Sequence, residues 1–303
     1  MEKKKSILVG VDGTEAGYEA VRWAANYASH TSLSVSILYV RLNKIKITDD
    51  EITEILHRAE DIVNTYNVNS SATTQTGDPS QIFIDLSCQY RMIVIGNRGK
   101  SGLAERLLKT MSSSLPAAAY CPIIVVPYAD KDGNILNHQY KLQKIVVGSD
   151  ASEWSLRALS IGAAIANKWN AQLLALAAVS IYNTSSDFLS HTPSDKILKN
   201  SLAELQTRVL PIQENYPHLD IDLRVVSKSA LEALVSASKK SDLIIVGSRG
   251  LSGVSGWLLG STSQALLQHS YAPVCVIPKN YVQAEIADAL TNNHANFASV
   301  TSE

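Results

Sequence analysis

Short apolar runs recur along the chain, most of them Val, Ile or Leu at nearly every position rather than at every second one. Runs of this kind, bounded by Gly, Pro and Asp, predict strands buried on both faces of a sheet. Strands are predicted near residues 5–11, 33–40, 70–76, 91–96 and 122–127, and again near 143–149, 171–179, 220–227, 242–247 and 273–278. Between them the period changes. Ala20, Val21, Ala24, Ala25 and Ala28 recur on one helical face after the first strand, and Leu156, Leu159, Ile161, Ala163 and Ala166 build a looser stripe after the sixth. Thr14 and Ser152 stand where a helix N-cap is needed. Strands alternating with helices predict parallel sheets with right-handed crossovers and helices on both faces, the doubly wound α/β class.

The pattern occurs twice. The stretch KKSILVGVDGTEAGYEAVRWAANYA from residue 4 matches LQKIVVGSDASEWSLRALSIGAAIA from residue 142, which aligns Asp12 with Asp150. Residues 91–127 match residues 241–278, each copy closing in Pro, a short β-branched strand and Pro. A fixed internal repeat outranks local propensity as a guide to the fold. It predicts two tandem doubly wound domains, each with a five-stranded parallel sheet, over 1–128 and 142–279. The polar stretch 129–141, with its Asp132-Gly133 bend, is expected to link them, and residues 280–303 to form a C-terminal tail with a disordered polar end.

Composition narrows the function classes. Of 303 residues 46% are apolar, and 27 Lys and Arg nearly cancel 28 Asp and Glu. A net charge of -1 gives no electrostatic footprint for nucleic acid, and Lys3-Lys4-Lys5 reads as a solvated N-terminus. No stretch of about 18 apolar residues exists to span a membrane, and no leader pattern precedes the first strand, so a cytoplasmic protein is expected. Cys88, Cys121 and Cys275 lack ligand-like spacing and read as buried reduced thiols. The seven histidines lie at unrelated positions in the two copies and suggest no site.

Candidate chemistry gathers after the ninth strand. Gly247, Gly250, Gly253, Gly256 and Gly260 crowd fourteen positions and run into Ser261, Thr262 and Ser263. Glycine is costly to order unless the backbone must be strained or approach something closely. A helix opening at Ser261 presents unsatisfied N–H groups and the positive end of its dipole, which favours phosphate, and Ser261 and Ser263 add hydroxyl donors. Asp150 ends strand one at the same sheet edge, where it fits either a ligand contact or the plain stabilisation of a helix start. Two familiar phosphate motifs fail. GNRGKSG lacks the glycine that a Walker loop needs, Val94 standing there instead, and Gly148-Ser149-Asp150-Ala151 lacks the dinucleotide glycines.

With these residues the chain resembles the universal stress protein family in its tandem-domain form. The signature of ATP-binding members, Gly, two residues, Gly, nine residues, then Gly and Ser or Thr, is complete at Gly247, Gly250, Gly260 and Ser261. The resemblance implies a Rossmann-like fold of the adenine nucleotide alpha hydrolase type. It also implies an Asp against the nucleoside (Asp12, Asp150) and a strand-two Val whose backbone meets the adenine edge (Val40, Val179). In the first copy Gly96 and Gly99 stand, but Lys109 and Thr110 replace Gly and Ser, so weakened or lost ATP binding is expected there, the alternative being a lysine that swings aside and assists an anion. GDP at 77–79 matches the family's turn after strand three, whereas the second copy has SKS at 227–229. Arg249 and its counterpart Arg98 suit either a phosphate or a neighbouring carboxylate, and Trp257 either covers the site or packs beneath it.

The implied function is nucleotide-responsive regulation. ATP is held by the second domain through Asp150, Val179, Gly247, Arg249, Gly250, Gly260, Ser261, Thr262 and Ser263, with Mg²⁺ on the phosphates. No catalytic constellation is evident; a slow ATPase and a scaffold with vestigial nucleotide sites are the alternatives. The family pairs its last strands antiparallel, which here implies an intrachain pseudo-dimer through 123–126 and 274–277 and leaves a homodimer open.

Overall fold

The structure is a computed structural model, described here for residues 4–43, 46–97, 114–129, 132–136, 141–179, 194–250 and 259–281. The first half runs β1 (Lys4–Val11), α1 (Glu15–Ser29), β2 (Ser34–Arg41), α2 (Asp49–Asn64), β3 (Ser70–Thr76), α3 (Pro79–Leu86), β4 (Tyr90–Asn97) and β5 (Ile123–Pro127). The second runs β6 (Lys144–Ser149), α4 (Glu153–Trp169), β7 (Gln172–Ala178), α5 (Ser194–Asn215), β8 (Ile221–Val226), α6 (Ala230–Ser238), β9 (Leu243–Gly247), α7 (Ser261–His269) and β10 (Val274–Ile277). Each strand lies within one residue of its predicted span at both ends. The α/β doubly wound class holds in both halves, each with strand order 3-2-1-4-5 and parallel pairing throughout.

The two five-stranded sheets join. Val274, Cys275 and Val276 of β10 pair antiparallel with Val125, Ile124 and Ile123 of β5, making one ten-stranded sheet whose edges are β3 and β8. Each face of this sheet buries one apolar layer, and both layers run unbroken across the seam. On one face α1 and α4 meet through aromatic rings: Trp23 stacks on Tyr27 at 5.2 Å, Tyr27 meets Trp169 at 5.8 Å, and His30 stacks on Trp169 at 4.3 Å. On the other, Asn97 Nδ2 donates to the Leu267 carbonyl (2.5 Å), satisfying one of the orphan acceptors in the last turn of α7. Cys121 and Cys275 are buried, whereas Cys88, expected to be buried as well, is exposed just past the end of α3; no disulfide joins the three, and burial pushes the Cys275 thiol well above its ordinary pKa.

Local rules account for most helix limits. Thr14 and Ser152 accept from Gly17 N and Ser155 N as N-caps, and Thr48 with Glu51 and Ser229 with Glu232 close reciprocal capping boxes. The α1 face is as predicted, with Ala20, Val21, Ala24, Ala25 and Ala28 all buried. The stripe on α4 is corrected at one place: Leu156 is 37% exposed, because Ser155, Ala158, Leu159 and Gly162 define the buried side and Leu156 lies on its flank. In α5 the helix continues through Pro211, where Leu205, Val209 and Ile212 anchor it to the core and offset the lost backbone bond.

Candidate functional site

The site grows from the carboxyl ends of β6 and β9, adjacent strands of the second half. At the end of β9 the first turn of α4 crosses so closely that a Cβ on Gly247 would lie 2.8 Å from Trp154 Cβ. The first half repeats this contact, where a Cβ on Gly96 would lie 2.5 Å from the Ala16 carbonyl carbon. Bareness at the first signature glycine thus serves helix-on-strand packing. The second, Gly250, faces Asp150: a Cβ there would fall 2.5 Å from Oδ2. The other carboxylate oxygen, Oδ1, accepts from Ser152 N (3.1 Å) and Ser152 Oγ (2.6 Å), holding the N-cap of α4. Asp12 does the same for Thr14, at 3.1 and 2.5 Å. Both aspartates therefore carry the structural role, and Asp150 also borders the candidate site.

The turn that carries Asp150 is strained. Ala151 has φ +66°, a left-handed conformation that the first half assigns to Gly13 at +82°. Such strain costs roughly 1–3 kcal/mol, against about 0.5–1 kcal/mol of extra chain entropy for glycine. Ala151→Gly is expected to stabilise the protein by about 1 kcal/mol, a rise in Tm of roughly 2–4 °C, read by thermal denaturation without nucleotide.

Gly260 differs from the other signature glycines. It is the N-cap of α7, with φ -59° and ψ 143°, and makes no side-chain cap bond. A Cβ there would meet described atoms only at ordinary distances: Ser248 O at 3.5 Å, Arg249 Cα at 3.6 Å and Gly250 N at 3.9 Å. Among the described residues nothing in the protein requires its bareness, and the result is an open helix N-terminus. Ser261 is exposed at the head of α7, whereas Ser263 is buried and its Oγ donates to the Gly247 carbonyl (2.8 Å). The expected Ser263 donor is therefore already committed inside the protein.

Gly260, Ser261, Thr262 and Ser263 border a cleft of about 180 Å³ together with Asp150, Arg249, Gly250 and Gly247. Its other wall is apolar: Leu176, Ala178, Ala230, Ala233, Leu234 and Val246. No motif marks these wall residues in the sequence, although Ala230, Ala233 and Leu234 carry a helical spacing that places them on one face of α6. Val179 is not among the residues that border the cleft; its N–H donates to the Val226 carbonyl (2.9 Å). Strand register explains the discrepancy. Gly10 pairs with Leu38 and Gly148 with Leu176, so Val40 corresponds to Ala178 and Val179 corresponds to Arg41. In the first half Asp12, Val40 and Gly96 occupy the matching strand ends, while Gly99, Lys109, Thr110 and Arg98 lie outside the described residues, as do Gly253, Gly256 and Trp257.

Fold and site together define a class: a tandem α/β protein whose two doubly wound halves share a sheet, with a polar-mouthed, apolar-walled cleft at the strand ends of the second. The universal stress protein family model matches residues 4–127 and again 141–278, and the chain belongs to that family. It is similar to a universal stress protein of Mycobacterium tuberculosis, 29% identical over 296 residues that cover 90% of this chain and 97% of the relative. A universal stress protein of Mycolicibacterium smegmatis is 27% identical over 290 residues, covering 89% and 96%. A solved universal stress protein from Archaeoglobus fulgidus shares the fold with a TM-score of 0.62 at 17% identity, covering 92% of this chain and all of that one.

Proposed function

We propose that this universal stress protein binds ATP in the cleft of its second half and acts as a nucleotide-responsive regulatory or stress-resistance factor in the cytoplasm. The observation that carries the reading is Gly260. A bare N-cap at the head of a nine-residue helix opens on the cleft, and no described side chain uses the space. The amides of the first turn and the helix dipole suit the phosphates. A cleft of about 180 Å³ suits a ring: a cavity of roughly 150 Å³ is known to accept benzene. In this reading the base lies against Leu176, Ala178, Ala233 and Leu234, and Asp150, Arg249 and Ser261 line the path from sugar to phosphate.

Mg²⁺ would travel with the nucleotide. Among the described residues no group of three or more His, Cys, Asp or Glu is placed to hold a metal, which suits an ion carried on phosphate oxygens and water. Asp150 is the one carboxylate among the described residues bordering the cleft, and its Oδ1 already holds Ser152, so binding rather than hydrolysis is the supported activity. The β5–β10 pairing supports an intrachain pseudo-dimer of domains 1–128 and 142–279 linked by 129–141.

Mass spectrometry of ligand released from the denatured, natively purified protein tests the reading, paired with calorimetric titration of the ligand-free chain with ATP and Mg²⁺. Adenine nucleotide in the extract and saturable binding are expected; no nucleotide together with no heat would overturn it. Steady release of phosphate from radiolabelled ATP, lost in Gly260→Asp, would establish the slow ATPase instead.

A further inference from the structure

The two halves can be superposed residue by residue through features already described. Asp78 caps α3 by accepting from Gln81 N, and Ser229 caps α6 by accepting from Glu232 N, so Pro79, Ile82 and Phe83 correspond to Ala230, Ala233 and Leu234. Strand register makes Val40 the counterpart of Ala178, and the shared Gly96 and Gly247 make Ile95 the counterpart of Val246. These are the apolar wall positions of the second half's cleft. At every one of them except Leu38, the equal of Leu176, the first half has the larger side chain.

The extra volume of Phe83 lies at the end of β1. Phe83 is 2% exposed, and a Cβ on Gly10 would lie 2.8 Å from its Cζ. The corresponding atom at Gly148 would lie 3.2 Å from Leu234 Cδ2. The ring of Phe83 therefore reaches across the end of β1; the strand-four residues do not differ in this way, Ile95 Cγ2 lying 3.4 Å from the Gly10 point and Val246 Cγ1 3.2 Å from the Gly148 point. Close-packed interiors do not admit a second ring where one already sits.

We propose that side-chain size on α3 and α6 decides which half accepts a base. Phe83, with Ile82, fills in the first half the volume that Leu234 and Ala233 leave open in the second. The inference rests on the nucleotide reading of the second cleft and extends it: the chain takes one nucleotide, and the first half is closed by its own core irrespective of Lys109.

The test transplants the plug. The full chain carrying Ala233→Ile and Leu234→Phe is titrated with ATP and Mg²⁺ beside the wild type, with circular dichroism and thermal unfolding as checks on folding. Binding is expected to weaken by about 30-fold, the middle of the scale on which overpacking penalties fall when converted to affinity, with the α7 N-terminus untouched. An affinity within about threefold of wild type would overturn the proposal. Should the double variant misfold, Ala233→Val serves: a loss of about fivefold or more supports the proposal and unchanged affinity overturns it. Wild-type stoichiometry separates the two readings. One ATP per chain is expected, two per chain overturns the plug, and failure of the wild type to bind at all removes the nucleotide reading itself.

Discussion

Gly260→Asp is expected to abolish ATP binding while leaving the protein as stable as before or more so. The φ of -59° is open to any L residue, and a Cβ would enter ordinary contact with Ser248 O, Arg249 Cα and Gly250 N. Aspartate is among the best N-cap residues, and a side-chain acceptor at the start of α7 satisfies an amide that the described protein leaves uncapped, worth a few tenths of a kcal/mol relative to glycine. The same carboxylate occupies the anion site. Two unit charges about 4 Å apart at an effective dielectric near 20 repel by roughly 4 kcal/mol, so a loss of at least about 100-fold in affinity follows. Calorimetric titration and thermal unfolding of one preparation read both halves of the prediction. Loss of stability parallel to loss of binding would show instead that Gly260 serves the fold. Gly260→Ala is the companion variant: it keeps the site uncharged and is expected to bind far better than the aspartate variant.

Gly96→Ala is expected to do the reverse, damaging the fold at a signature position that the ATP reading would assign to ligand. Its Cβ would be driven into the Ala16 backbone, 2.5 Å from the carbonyl carbon and 3.1 Å from Gly17 N. Backbone cannot rotate aside as a flexible side chain does, so α1 must lift from β4. That places the cost at or beyond the upper end of overpacking penalties, at least about 3 kcal/mol, visible as a lower urea midpoint. If the midpoint of Gly96→Ala matched that of Gly260→Ala, the close crossing of α1 over β4 would not be what requires glycine there.

The contrast between these glycines shows where reading by sequence stops. Spacing alone makes Gly247, Gly250 and Gly260 one motif with one purpose. Three dimensions divide them: Trp154 packs on the first, the Asp150 carboxylate rests against the second, and among the described residues only the third leaves space facing the cleft. Val179 shows the same limit. Its match to Val40 rests on residue type at a strand end, whereas the hydrogen-bonded register assigns that position to Ala178. Ser263 has the hydroxyl expected of a donor, but the Gly247 carbonyl receives it.

What the amino-acid order determined by itself was everything that depends on short-range physics repeated along the chain. Runs of Val, Ile and Leu bounded by turn residues set most of the strands, caps such as Thr14 and Ser152 set helix starts, and the doubled pattern set two doubly wound halves. The tertiary structure alone decided which face each residue shares with residues far away. The cleft wall comes from β6, β7, β9, α6 and α7, elements scattered over more than a hundred positions, and α6 brings Leu234 to the strand end where α3 brings Phe83 in the first half. Secondary structure answers to neighbours within a few residues, and an empty space answers only to packing.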